Sequence, residues 1–256
     1  MVAGASEGLG AAYAKELAAR GLNLVLIARR AELLQRLGAD LATDNGIEIR
    51  TIALDLSSED APEQIAVNTG DIEIGLLIYN AAFSAIGGFS ERPMDDHFKE
   101  LQTNIHAPLK LIYLFGQRML AQGHGGIVLM SSLSALQGSP YISTYAATKA
   151  FNIVLAEGLW DEWRTRGVDV LVCISGTIRT PNYFASEPGR TSGLSNMSLS
   201  PDQAAYEALD ALGKGPYVIP GRMNRISSFI MRHFMSRKAT VKFMGRILRK
   251  MYLEQK

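Results

Sequence analysis

Two side chains in this sequence could move a proton together. Tyr145 and Lys149 stand four apart in Tyr145-Ala-Ala-Thr-Lys149, so on a helix they share one face. A nearby ammonium favours phenolate and lowers a tyrosine pKa from about 10. The phenol then becomes a usable general acid or base. Taken alone, the pair also fits a surface lysine beside a half-buried tyrosine. Other polar residues strengthen the chemical reading. Ser132 follows an apolar run, as do Asn80-Ala81-Ala82 and Asp55-Leu56, and Asn104 lies within a long helical pattern. Polar residues at strand ends occupy the place where open α/β sheets bind ligands.

A second constellation opens the chain. Gly4-Ala5-Ser6-Glu7-Gly8-Leu9-Gly10 is a G-x-x-x-G-x-G turn leading into a helical pattern. Glycines at that spacing permit a tight turn, close approach of a pyrophosphate and close helix–strand packing, with the helix N-terminus facing the phosphates. A glycine-rich turn without a ligand is the plain alternative. The same residues also spell G-x-S-x-G, the nucleophile elbow of a serine hydrolase with Ser6 as nucleophile. Position argues against it: three residues precede Gly4, whereas an elbow follows a strand deep in a sheet. None of the histidines at 97, 106, 124 and 233 has supporting context.

These residues need a scaffold, and the hydropathy pattern supplies one. Apolar runs predict strands over 23–28, 47–54, 74–79, 126–130, 168–174 and 217–220. Helical patterns cover 9–20, 31–43, 58–68, 94–122, 143–166 and 201–212. Regular alternation predicts an α/β fold with a mainly parallel sheet and helices on both faces. No repeat, low-complexity tract or linker divides the chain. A first strand should precede Gly4, yet only Met1, Val2 and Ala3 are available; either it is very short or further residues lie upstream. The 256 residues are 47% hydrophobic and 20% charged, ordinary for a globular protein with a sizeable core. The single cysteine, Cys173, excludes an internal disulfide and a cysteine metal cluster, and no His/Cys/Asp/Glu cluster has metal spacing. No apolar run reaches membrane-spanning length and the N-terminus has no signal-peptide pattern, so a cytoplasmic location is expected.

The order and spacing of these motifs resemble the short-chain dehydrogenase/reductase family, from residue 1 to about 220. The resemblance implies a Rossmann-type, doubly wound, seven-stranded sheet and hydride transfer between a nicotinamide and a carbonyl or secondary alcohol. It implies that Asn104, Ser132, Tyr145 and Lys149 form the catalytic tetrad, with Tyr145 the acid, Ser132 orienting the substrate oxygen, and Asn104 anchoring a water that links Lys149 to solvent. Gly4, Ser6, Gly8, Leu9 and Gly10 would form the cofactor turn. Asp55 and Leu56 would hold the adenine, and Asn80, Ala81 and Ala82 would support the cofactor. Gly176, Ile178 and Thr180 would contact the nicotinamide end, and Tyr145 and Lys149 the cofactor ribose. The sequence departs from the family pattern at Ala3, Tyr79, Ala82 and Ser175. A cofactor-binding scaffold without catalysis is the competing class, and the intact tetrad argues against it.

The cofactor's type is read one strand further on. The second strand ends at Ala28 and is followed by Arg29 and Arg30 where an NAD enzyme carries an acid. A guanidinium can pair with a 2′-phosphate, so NADPH (NADP+) is expected over NAD(H), unless both arginines are simply solvated. Tyr183, Phe184, Leu194 and Met197 suggest a partly apolar ketone or acyl substrate, or a lid. The long helices 94–122 and 143–166 resemble those that pair subunits in this family, which implies a homodimer or homotetramer.

Charge is unevenly distributed. The net charge is +1, which excludes a surface built wholly for nucleic acid. Yet residues 222–256 carry ten Lys and Arg against one acid, while 1–221 carry 16 against 24. The chain is therefore read as a catalytic and NADP-binding unit, 1–221, with a basic amphipathic helical extension, 222–256. That extension either packs on the domain or a neighbouring subunit, or meets anionic lipid or an acidic carrier.

Overall fold

The computed structural model describes residues 1–181 and 198–252. Seven strands form one sheet: β1 (Val2–Ala3), β2 (Leu24–Ala28), β3 (Ile49–Ala53), β4 (Leu76–Tyr79), β5 (Gly125–Ser132), β6 (Val168–Ser175) and β7 (Tyr217–Val218). Their order is β3-β2-β1-β4-β5-β6-β7, and every pairing is parallel. This is the doubly wound Rossmann arrangement, with the strand order reversing between β1 and β4. The first strand is short, two residues, yet it pairs on both sides: Val2 lies opposite Leu26 and Ile78.

Both faces of the sheet are covered, which explains why its strands read as continuous apolar runs. Alternation within β5 shows how one strand serves two cores. Ile127 and Leu129 belong to the core that includes Phe115, Met119 and Ala156, from α5 (Ala107–Gln122) and α6 (Ser143–Arg164). Val128 and Met130 belong to the opposite core with Tyr13, Leu34 and Ala205, from α1 (Gly8–Ala19), α2 (Ala31–Asn45) and α7 (Pro201–Ala211). A short α3 (Ala61–Asn68) adds Ile65 to the first core. Cys173 is fully buried in the second, and burial pushes its thiol up to about 12.

The helix expected over 94–122 is not one α-helix. It consists of α4 (Met94–Leu101), a π turn over Gln102–His106, and α5. Pro108 supplies the reason. It has no N–H to give to the Asn104 carbonyl four residues earlier, so the ladder widens there, and Ala107 N–H reaches Gln102 O instead. Beyond the sheet lie α8 (Arg222–Phe234) and α9 (Arg237–Tyr252).

Candidate active site

The glycine turn leaves β1 and enters α1 under tight constraints. The Gly4 and Ala5 N–H groups donate to Ile27 O at 2.8 and 3.0 Å, and Asn80 Nδ2 donates to Gly4 O at 3.0 Å. Gly4 has φ +85 and Gly8 φ +57, the left-handed region that favours glycine. A Cβ at Gly4 would lie 2.7 Å from Ala81 N, and one at Gly8 would lie 2.9 Å from Thr180 Cγ2. A Cβ at Gly10 would lie 1.9 Å from Gly4 O. The turn therefore holds α1 close to the sheet, with its first N–H groups at the sheet's C-terminal end, an anion-binding arrangement.

A cavity of about 460 Å³ opens beside this turn. Its walls include Gly4, Ser6, Gly8 and Leu9 on one side and Arg29, Asp55 and Leu56 on another. Asn80, Ala81, Ala82 and Thr180 also line it. Of the other residues expected to contact a cofactor, Gly10, Tyr145, Lys149, Gly176 and Ile178 do not. Gly10 is consumed in helix–turn packing. Gly176 abuts Asn224 of α8, where a Cβ would lie 2.5 Å from Asn224 Oδ1. Ile178 instead bridges to Leu199, and Arg179 N–H donates to Leu199 O at 3.0 Å.

The cavity's charged rim is richer than the sequence suggested. Arg30 donates to Ser6 Oγ at 3.1 Å and pairs with Glu7 at 2.6 Å. Arg29 lies 3.9 Å from Asp55. Glu7 thus places a carboxylate where the sequence reading saw none, though it is paired. Desolvation raises the Asp55 pKa, but Ser57 N–H and Oγ, each at 2.9 Å, and Arg29 outweigh it and leave the carboxyl below its usual range. Lys99 and Phe83 also line the cavity, with the ammonium 5.0 Å from the ring centre. Neither carries a motif, so only the fold could reveal them. No histidine lines this cavity, and Ser6 engages a guanidinium rather than a base.

The four tetrad residues lie where β5, the π turn and α6 converge. Ser132 closes β5. Its Oγ accepts from Ser134 N–H at 3.2 Å and Ser134 Oγ–H at 2.9 Å, and the hydroxyl is near enough to the Tyr145 phenol to act on its pKa. Lys149 is 2% exposed and donates from Nζ to Met130 O at 3.0 Å. Asn104 is fully buried: Nδ2 donates to Phe83 O at 2.8 Å and Thr148 Oγ1 at 3.0 Å, and Oδ1 accepts from Phe83 N–H at 2.9 Å. Its side chain therefore ties the 80–83 segment to α6, and is not left over for a water.

The pKa pattern corrects one expectation. Burial pushes the Tyr145 phenol up to about 12; Tyr252 and Glu100 add to this, and the Ser132 hydrogen bond opposes it. Lys149 does not pull it down in this geometry. Its ammonium is directed to Met130 O, and Nζ lies 5.7 Å from the Tyr145 ring centre. Burial lowers Lys149 itself to about 8. Through Tyr252 the end of α9 thus bears electrostatically on the phenol. The same helix donates from Arg249 Nε to Tyr141 Oη at 3.0 Å. Tyr141, at φ +68, is held again by Gly87 N–H at 2.9 Å on its carbonyl, just before α6 begins. The expected substrate-loop residues Tyr183, Phe184, Leu194 and Met197 lie outside the described residues.

The family model for short chain dehydrogenase matches residues 1–189. This chain belongs to the short-chain dehydrogenase family. It is 29% identical to a 7beta-hydroxysteroid dehydrogenase of Collinsella aerofaciens over 251 residues, covering 97% of this chain and 95% of that one. A solved structure of a 7beta-hydroxysteroid dehydrogenase superposes with a TM-score of 0.90 at 29% identity, covering 95% of both chains. A short-chain dehydrogenase from Sphingobium yanoikuyae in complex with NADPH gives 0.77 at 25% identity, covering 91% and 92%. This short-chain dehydrogenase is accordingly a nucleotide-binding oxidoreductase that transfers hydride at a carbonyl or hydroxyl group.

Proposed function

We propose that this short-chain dehydrogenase reduces a bulky, partly apolar ketone with NADPH, or oxidises the matching secondary alcohol with NADP+. The convergence of Ser132, which ends β5, with Tyr145 and Lys149 of α6, whose ammonium bonds Met130 O of the same strand, carries the reading. A dinucleotide fits the residues present, because the glycine turn at the start of α1 lines a cavity of about 460 Å³ that also reaches Arg29 and Asp55. Residues 1–221 would form the catalytic and cofactor-binding unit.

Gly4, Gly8, Leu9 and the start of α1 would hold the pyrophosphate. Arg29, Arg30 and Ser6 would receive the 2′-phosphate, with Glu7 holding Arg30 in place until it arrives. Asp55 and Leu56 would face the adenine, Asn80, Ala81 and Ala82 the adjoining ribose and phosphate, and Gly176, Ile178 and Thr180 the nicotinamide end. When bound, the nicotinamide supplies or accepts the hydride. The protein's part is the proton. Tyr145, kept protonated by burial, donates from its hydroxyl to the substrate oxygen as that oxygen gains negative charge. Ser132 hydrogen-bonds the same oxygen and orients it. Lys149 would leave Met130 O to meet the ribose hydroxyls and the phenol, lowering the pKa of the latter only in the loaded enzyme.

The 7beta-hydroxysteroid names of the relatives support a steroid-sized ketone over a small aldehyde. Exposed Leu109, Tyr113 and Val154 on α5 and α6 support pairing of two or four subunits through these helices. Two measurements test the proposal. A ketone and aldehyde panel should show turnover with NADPH, and absence of any turnover would favour a silent cofactor-binding scaffold. The joint change Arg29→Ala and Arg30→Ala should raise the KM for NADPH by on the order of tenfold or more and leave that for NADH nearly unchanged. Equal effects on both would refute the 2′-phosphate assignment.

A further inference from the structure

Helix α8 is built inside out. The residues it turns inward are small and polar: Asn224 is 3% exposed and Ser228 2%. Its large apolar residues face outward. Met223, Ile226, Ile230 and Phe234 recur at helical spacing on one stripe, with exposures of 54%, 51%, 48% and 76%, and Phe229 beside them at 55%. An exposed apolar stripe of this kind marks an interaction surface.

Charge says what meets it. Arg222 opens the helix among its outward residues, Arg237 and Lys238 follow the stripe in the chain, and all three are exposed. Among the described residues of 222–252, only Arg225 pairs with a carboxylate, Glu207 at 2.9 Å. A groove of about 360 Å³ runs along the flank of α8 toward the end of β7, with Tyr217, Arg232 and His233 on its walls. A second copy docking the same face about a two-fold axis would set these cations against their equivalents, a repulsive arrangement. An anionic lipid surface satisfies both features: the stripe enters the acyl boundary while the cations meet phosphate headgroups. No helix among the described residues is long and apolar enough to cross a membrane, so the helix would lie flat.

We propose that α8 docks this enzyme on anionic phospholipid surfaces through Met223, Ile226, Ile230 and Phe234, with headgroup phosphates meeting Arg222, Arg237 and Lys238. The inference does not depend on the cofactor or substrate assigned above. Its test is flotation of the full chain with vesicles of phosphatidylcholine, with or without phosphatidylglycerol, at low and high salt. The protein should float with the anionic vesicles only, and partitioning should fall as salt rises. The double change Ile230→Asp and Phe234→Asp should lower it at least about tenfold. Arg222→Gln with Arg237→Gln and Lys238→Gln should lower it without touching the apolar stripe. Both variants should keep the wild-type melting temperature and catalytic turnover. Three results would overturn the proposal: no flotation at low salt, unchanged flotation of both variants, or a concentration-dependent self-association that Phe234→Asp abolishes in the absence of lipid. Binding to a soluble acidic protein without flotation would overturn it too.

Discussion

Glu100 is a buried carboxyl that the proposed proton transfer does not use. It is 1% exposed and accepts from Ala85 N–H at 2.6 Å. Desolvation raises its pKa above the ordinary 4.5, with the Ala85 hydrogen bond opposing. A raised folded pKa means that the native state holds this proton more tightly than the unfolded chain does. The stabilising contribution is therefore complete below about 4.5 and is lost as pH rises through the folded value. Glu100→Gln keeps an acceptor for Ala85 and removes the titration. Melting temperatures of the two proteins, measured from acid to neutral pH, should diverge in favour of the variant as pH rises; a constant difference would contradict this. Residue types and spacing alone pointed to Tyr145, Lys149 and the glycine turn. They could not reveal Arg30 on Ser6, Glu7 at the rim or Lys149 turned to Met130 O, because those contacts join residues from separate elements.

The π turn shows what helical patterning misses. Hydropathy over 94–122 reads as one helix because the apolar stripe continues through the break. Pro108 carried the signal of a change in the ladder. Its effect is to place Asn104 between the 80–83 segment and α6. Asn104→Ala would remove three hydrogen bonds and leave the half-buried Phe83 N–H and carbonyl without this partner. A loss of about 2–3 kcal/mol in denaturant stability is expected, together with weaker NADPH binding. Unchanged stability would show that the segment is held by other contacts. Strand positions fared better, since a strand buried on both faces leaves a continuous apolar run that boundaries interrupt. β1, which like β7 has two residues, left almost no run to read.

Across the molecule, chemistry gathers where the strands' C-terminal ends meet the reversal of strand order between β1 and β4. The two parts of the chain that the charge balance separated also meet there. Gly176 packs on Asn224 of α8, and α9 brings Tyr252 and Arg249 to the rim that holds Tyr145 and Tyr141. The basic extension is thus structurally joined to the site, a relation that charge counting could not supply because it carries no spatial information. In the proposed reaction this arrangement serves one proton donor, Tyr145. The direct measurement is single-turnover oxidation of NADPH with a steroid-sized ketone by wild type and Tyr145→Phe. The account predicts unchanged NADPH binding and a rate lower by about 10²–10⁴-fold in the variant. A variant that binds NADPH normally and turns over at the wild-type rate would contradict it.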